Sequence, residues 1–275
     1  MEQKLVGSIA SLWRYPVKSM LGEEVETAAI SPRGLVGDRG YALLDKETGK
    51  VASAKNPHKW AQLLNFRATF AQTPQSYEFL PAIQVLMPNG QSISSEAPDI
   101  SQVLSAVLGR EVQLLSSPPE MPTLEQYWPP VEGTPRQEEV TQLEMPVGTF
   151  FDSCAIHAIT TATLTRLQAL YPEGQFEPCR FRPNLLIQPR SSEVAFVEDA
   201  WVGGILAIGN SVRLSIDTAC PRCVVTTLAQ SGLPQDLNIL RTTARFNKVI
   251  AGSRLSVLQG GTLRRGDPIW LETAL

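Results

Sequence analysis

Turn-forming residues interrupt residues 1–80 so often that only short strands fit between them. Leu21-Gly22-Glu23, Pro32-Arg33-Gly34, Gly37-Asp38-Arg39-Gly40 and Lys46-Glu47-Thr48-Gly49 punctuate the stretch. Between them, Val6 to Val17 mostly alternates apolar and polar residues, the period of a strand with one buried face. Gly40–Asp45 and Gly49–Ser53 predict a hairpin across the Lys46–Gly49 turn. Short strands at this spacing predict a barrel or sandwich.

Further along, Leu104, Val107 and Leu108 predict the apolar face of a helix over residues 97–110. Residues 117–147 are dense in proline and glutamate and predict a linker, a surface loop or a lid. The acidic stretch from Glu132 to Glu144 reads as a solvated loop, with a docking surface as the other reading. Leu164, Leu167, Leu170 and Tyr171 fall at helical spacing after threonines that suit a cap. Leu185-Leu186-Ile187, Ile205–Ile208, Val212–Ile216 and the stretch after Gly266-Asp267-Pro268 predict strands. The fold class expected is α+β and β-rich: an N-terminal β-barrel-like part, and a C-terminal part built on a β-barrel with flanking helices.

The chain has 275 residues, 43% hydrophobic and 19% charged, with a net charge of −3. That balance suits a globular protein with a full core and gives no basic field to recruit nucleic acid. Function must therefore come from a local site. The N-terminus shows no signal-peptide pattern and no apolar run reaches membrane-spanning length, so the expected location is cytoplasmic, without a membrane span. Only two histidines, His58 and His157, are present, which argues against a histidine-rich metal site.

All four cysteines lie in the second half, and Cys220-Pro221-Arg222-Cys223 is the sharpest local pattern. A redox pair of the thioredoxin kind needs a helix after the first cysteine, whereas Val224-Val225-Thr226-Thr227 favours a strand. A structural zinc site needs four ligands, which Cys154 and Cys179 supply only at irregular spacing. A single soft thiolate ligand to a cofactor metal is the third reading, with Arg222 favouring the thiolate. Packed, inert thiols are the fourth.

In its surroundings the pattern resembles the MOSC family, of the YcbX and amidoxime-reducing-component type. The resemblance runs along nearly the whole chain: Leu12 to Ser19, Gly37 to Leu43, Phe181-Arg182-Pro183-Asn184-Leu185, Glu198-Asp199-Ala200-Trp201, Cys220 to Thr227 and Gly266-Asp267-Pro268. It implies a MOSC N-terminal β-barrel domain over residues 1–95, a helix and Pro-rich connection over 96–147, and a MOSC domain over 148–275. It implies a molybdenum cofactor, Mo-molybdopterin, with Cys223 as the protein's metal ligand and Cys220 as a packed thiol. Lys18, Ser19 and Arg39 match positions that hold the pterin phosphate, and Arg182 and Asn184 match cofactor contacts. Asp152 matches an acidic residue near the metal and is a candidate proton relay. Ser153 and Cys154 occupy adjoining cofactor positions, Cys154 in place of the hydroxyl residue expected there. Arg182, flanked by Phe181 and Pro183, is a candidate for burial with Asp152 as its partner. The implied activity is reduction of N-hydroxylated small molecules by a two-electron molybdenum oxidoreductase served by a separate electron-donor protein carrying flavin, haem or an iron–sulfur centre. The alternative is a carrier of the cofactor or its sulfur.

Overall fold

The computed structural model describes residues 2–132, 134 and 136–273. Met1, Gly133, Pro135, Ala274 and Leu275, which fall at the expected outer limits and inside the Pro-rich segment, lie outside the described residues. A seven-stranded barrel organises the molecule. Going round it, Glu2–Arg14 pairs with Leu185–Pro189, then follow Ile156–Thr160, Ile250–Gln259, Val212–Pro221, Ile205–Ile208 and Pro268–Thr273, which pairs back onto Glu2–Arg14. Every contact is antiparallel except that between Ile156–Thr160 and Leu185–Pro189. A parallel pair requires a crossover. Here the crossover carries the helix Thr161–Leu170 and the short turn of helix Pro178–Phe181. Thr160 caps the first of these, its Oγ1 accepting from the Thr163 N–H at 3.1 Å. The barrel is closed by inward apolar side chains on alternate positions, among them Ile9, Leu12, Leu185, Ile187, Leu206, Leu214, Leu255 and Ile269, and closure leaves it without free edges.

The long N-terminal strand therefore belongs to the same barrel as strands near the chain's end. Thr27–Ser31 likewise pairs with Gly261–Arg264. Ala42–Asp45, Val112–Leu115, Arg67–Phe70, Ile83–Leu86 and Ser92–Ser94 form small sheets around a second core of Val17, Met20, Leu43, Leu63, Phe66, Val85 and Leu104. The helix predicted over 97–110 forms over Ile100–Leu108 and stops at Gly109, which is left-handed (φ 66°) as a helix-ending glycine commonly is. Ala42–Asp45 turns back on itself through a single bridge, Leu44 to Val51, and takes Val112–Leu115 as its main partner.

Two sequence expectations differ from the fold. The Pro-rich stretch is an antiparallel hairpin, Thr123–Trp128 with Glu139–Glu144, and it is pinned down. Glu125 takes Lys59 at 2.9 Å, Lys50 at 3.2 Å and the Asn56 amide at 2.8 Å. The Tyr127 N–H donates to the Lys55 carbonyl at 2.8 Å, and the Tyr127 ring meets His58 edge-on. These attachments make it a fixed wall. The prolines and glutamates hid an inward alternation in which Leu124 and Gln126 are buried. The second difference is Val224–Thr227, a 3-10 turn where the β-branched run predicted a strand. The Thr226 and Thr227 hydroxyls donate back to the Cys223 and Val224 carbonyls at 3.0 and 2.7 Å, so local side-chain bonds outweigh strand propensity.

Glu125 provides a test of the hairpin's attachment. Burial alone would raise its pKa, but donors from Lys59, Asn56 and Lys50 bring it from 4.5 down to about 2. A carboxyl with a depressed folded pKa stabilises the fold above its unfolded pKa, and that contribution is lost as pH falls through the folded value. Thermal melts between about pH 5 and about pH 2.5 should therefore show a smaller acid-induced fall in Tm for Glu125→Gln than for the unaltered protein. Equal falls would show that the cluster contributes nothing.

Candidate functional site

One large cavity, about 650 Å³, opens where the end of the barrel meets the hairpin and the first-half loops. Lys18, Ser19, Arg39, Asp152, Ser153, Cys154, Arg182, Asn184 and Cys223, the site residues expected from the sequence, all line it. Its volume falls within the range of small-molecule and cofactor pockets.

The backbone is unusual where these residues enter. Ser19 (φ 66°), Arg39 (φ 48°), Arg182 (φ 52°) and Lys248 (φ 52°) are left-handed without being glycine, and all four line the cavity. Such conformations cost on the order of 1–3 kcal/mol each and persist only where the surroundings impose them. Here the surroundings are explicit. The Val17–Tyr41 bridge ties the Lys18 segment to the Arg39 segment, the Arg39 N–H donates to the Tyr15 carbonyl at 2.7 Å, and Ser19 Oγ accepts from the Ala54 N–H at 3.0 Å.

Tyr15 is the centre of the cationic side. Arg39 lies over one part of its ring at 4.5 Å from the centroid and Arg182 over another at 4.3 Å, cation–π contacts that gain strength with desolvation. Its hydroxyl donates to the Pro183 carbonyl, and its N–H donates to fully buried Asp38, the ion-pair partner of Arg39. Burial, and next to it the charge of Arg39, lower the Arg182 pKa to about 10. Arg182 Nη1 is sealed from solvent and has no hydrogen-bond partner. Asp152, offered as its partner by the sequence, pairs with Lys18 and with Lys55 (3.3 Å) instead. Arg182 is spent on the tyrosine ring, which leaves the carboxylate to the lysines.

Lys18 also donates to the Phe150 carbonyl at 2.8 Å. Its burial outweighs Asp152 and lowers its pKa to about 8. Burial would raise the Asp152 pKa, yet the two ammonium groups together hold its carboxyl well below the usual range. The carboxylate remains 40% exposed to the cavity, so water tempers that pull. Asn184 is buried and its amide is committed to the backbone: Oδ1 accepts from His157 and Nδ2 donates to Trp13. It joins three barrel strands at the cavity floor.

Cys220 and Cys223 have different surroundings. Cys223 is partly buried at the start of the 3-10 turn. Arg222, expected to act on Cys223, turns to Cys220: Nη1 lies 3.1 Å from Cys220 Sγ and 3.2 Å from His157 Nε2, and Nη2 donates to the Phe181 carbonyl. Burial raises the Cys220 pKa, but His157 and Arg222 more than offset it and bring the thiol down to about 5. Cys220 is buried, as the packed thiol expected there would be, and its sulfur faces Arg222 at the cavity wall. Burial, and then the neighbouring Cys220, push Cys154 up to about 11. The close approach of His157 depends on Gly252, left-handed at φ 86°, where a Cβ would stand 2.4 Å from His157 Nε2 and from the Ala158 carbonyl.

Behind the site, Arg180 is the largest fully buried side chain. It donates only to carbonyls: Gln175 at 2.8 Å, Thr226 at 3.2 Å, Leu228 at 3.1 Å and Pro234 at 2.7 Å. Of these, Thr226 lies in the turn that follows Cys223 and Leu228 immediately after it. Arg182, expected to be buried, is half-buried with a sealed Nη1, while Arg180, two positions earlier and not singled out by the sequence, is completely enclosed. Lys55, His157 and Arg254 were also missed, since each looks like an ordinary residue until the barrel brings it to the cavity.

Among the described residues no three of His, Cys, Asp and Glu come together as a metal-binding group. A zinc site built from the cysteines is therefore not formed there, while a cofactor metal needing one protein thiolate has Cys223 available. No helix of the described residues is long and apolar enough to cross a membrane.

Comparison with known proteins agrees with this architecture. Residues 146–270 match the MOSC domain and residues 6–76 the MOSC N-terminal beta barrel domain. The chain is 26% identical over 292 aligned positions to mitochondrial amidoxime reducing component 2 of Macaca fascicularis and to that of Homo sapiens, covering 96% of this chain and 83% of each relative. It is 23% identical to human mitochondrial amidoxime-reducing component 1. The crystal structure of the YuaD protein from Bacillus subtilis shares the fold, with a TM-score of 0.51 at 12% identity over 100% of this chain and 99% of that one. The two domain matches together take in more than two thirds of the sequence, and the chain belongs to the proteins that join a MOSC N-terminal beta barrel domain to a MOSC domain.

Proposed function

We propose that the protein is a molybdenum-cofactor-dependent oxidoreductase that reduces N-hydroxylated small molecules, such as hydroxylamines, amidoximes and N-hydroxylated bases, to amines or amidines and water. The observation that carries this reading is the convergence of a partly buried thiol, Cys223, with a cluster of cations in one cavity. The residues fit the group. Arg182 has a sealed, unpartnered N–H, and with Arg39 and Lys18 it matches an anionic pterin phosphate through charge-assisted bonds. Ser19 and Ser153 add hydroxyls, and the backbone around Cys154 adds polar groups to the same wall. A thiolate suits a soft metal, so Cys223 is its protein ligand. When bound, the cofactor supplies the two-electron chemistry that removes oxygen from an N–O bond.

The chain's own part is to bind, orient and manage protons. Each turnover consumes two electrons and two protons and releases one water. The electrons come from a separate donor protein carrying flavin, haem or an iron–sulfur centre, as the relatives' designation as components suggests. Asp152 is ionised between two ammonium groups, so it serves the relay as a counter-ion that keeps a proton available on Lys18 or Lys55. Asp152→Ala should slow turnover about a hundredfold, the scale of general acid–base catalysis, with bound molybdenum near normal. Loss of molybdenum from the variant would assign Asp152 to holding the cofactor.

The test of the function is direct. Protein purified from a host that makes the cofactor is analysed for molybdenum, then given benzamidoxime and a chemical reductant, with benzamidine quantified. Stoichiometric metal with benzamidine formation supports the reductase. Stoichiometric metal without turnover, together with transfer of the cofactor to an apo-acceptor, would replace it with the carrier.

A further inference from the structure

The charge on the cavity wall exceeds what one phosphate requires. Seven lysine and arginine side chains line it against two carboxylates, Asp152 and Glu144. Lys18, Arg39 and Arg182 gather around Tyr15 and Asp152, the part assigned to the cofactor phosphate. Arg254 comes from elsewhere. It sits on Ile250–Gln259, opposite His157 in one neighbouring strand and Thr218 in the other, which places it on the side of Cys220. The other guanidinium there, Arg222, is engaged through both Nη atoms with Phe181, Cys220 and His157, and only its Nε lacks a partner among the described residues. Arg254 forms no ion pair with a described residue, and its Nε is sealed from solvent with no acceptor. A shielded donor of a charged group left unpaired is costly. Lys248, exposed at the same cavity and left-handed, adds a second cation from this half of the chain.

We infer that Arg254 forms a second anion subsite, which takes an acid group on the substrate, so that the preferred substrates are N-hydroxylated compounds bearing a carboxylate or similar oxyanion. The inference rests on the reductase reading for the identity of the ligand. A planar guanidinium presents paired N–H groups that match a carboxylate, and such a ligand would satisfy the donor that the protein leaves unpaired. Lys248 raises the local concentration of anions at the entrance.

The test is calorimetric binding of 4-carboxybenzamidoxime and of benzamidoxime to the holoprotein without reductant. The carboxylated compound should bind about tenfold more tightly or better, the gain of one charge-assisted pair. The ratio should fall towards one in Arg254→Gln, take an intermediate value in Arg254→Lys, and shrink as salt is raised. Equal binding of the two compounds to the unaltered protein would overturn the subsite. A ratio that Arg254→Gln leaves intact does so too. Loss of molybdenum from Arg254→Gln also overturns it, by assigning the arginine to the cofactor. Because no turnover is needed, a protein that reduces neither compound counts against the reductase, while the binding ratio decides the subsite.

Discussion

Cys223→Ala is expected to remove essentially all molybdenum from the purified protein while leaving the fold intact. Elemental analysis beside a thermal melt reads both. The thiol is the one metal-ligating side chain the proposal assigns, and the surrounding cations bind the cofactor's phosphate but not its metal. Cys223 is only partly buried and lies at the mouth of a turn, so truncation leaves no large void and the cost in stability should stay below about 1.5 kcal/mol. Full molybdenum in the variant would exclude Cys223 as the ligand and point to Cys220, whose sulfur lies 3.1 Å from Arg222 Nη1 in the same cavity. Absence of molybdenum from both proteins, each folded, would remove the molybdenum reading itself.

Arg180→Met should cost far more in stability, on the order of 3–5 kcal/mol. The guanidinium satisfies four carbonyls and is completely enclosed. Methionine fills part of the volume but leaves those oxygens buried without donors. Chemical denaturation measures the loss, and Arg180→Lys should recover a minor share, because an ammonium cannot reach oxygens spread across residues 175 to 234. The segment after Cys223 is held by two of the four bonds, so the amides of residues 224–228 should exchange faster with deuterium in the methionine variant at a temperature where both proteins remain folded. A destabilisation under about 1 kcal/mol would show that the carbonyls find water instead.

How much of this was legible in the residues depends on range. Barrel strands such as Val212–Ile216 and Ile205–Ile208 announce themselves through apolar character, and Thr161–Leu170 through periodicity and its capping threonine. Those signals are local. The hairpin at Thr123–Glu144 was not legible because its alternation is spread among prolines and glutamates, and its anchor, Glu125 with Lys50, Lys59 and Asn56, joins segments far apart in the chain. Val224–Thr227 misled for a related reason: propensity favoured a strand, while threonine hydroxyls and Arg180 turned the chain. The family's motifs named residues that the fold brings to one cavity. Their partners were not named, because Asp152 chooses between Arg182 and the lysines only when Tyr15 has taken the arginine. Lys55 and Arg254 carry no sequence signal at all. Arg254 acquires meaning from the strand register that brings it to the cavity, and Lys55 from the turn that the Tyr127 N–H holds there.

The placement of Glu2–Arg14 between Leu185–Pro189 and Pro268–Thr273 sets the order in which a ribosome can deliver this fold. Glu2–Arg14 is synthesised long before either of these barrel neighbours. The small sheets that assemble from Ala42–Asp45, Arg67–Phe70, Ile83–Leu86 and Val112–Leu115 pair among themselves and can consolidate during synthesis. The barrel that forms the cavity floor cannot close until Pro268–Thr273 has left the exit tunnel. Long-range closure of this kind is slow, and until it happens Glu2–Arg14 has only the short strand Glu23–Val25 as a nearby partner in sequence. Protection of the cavity floor is therefore expected to lag behind that of the small sheets.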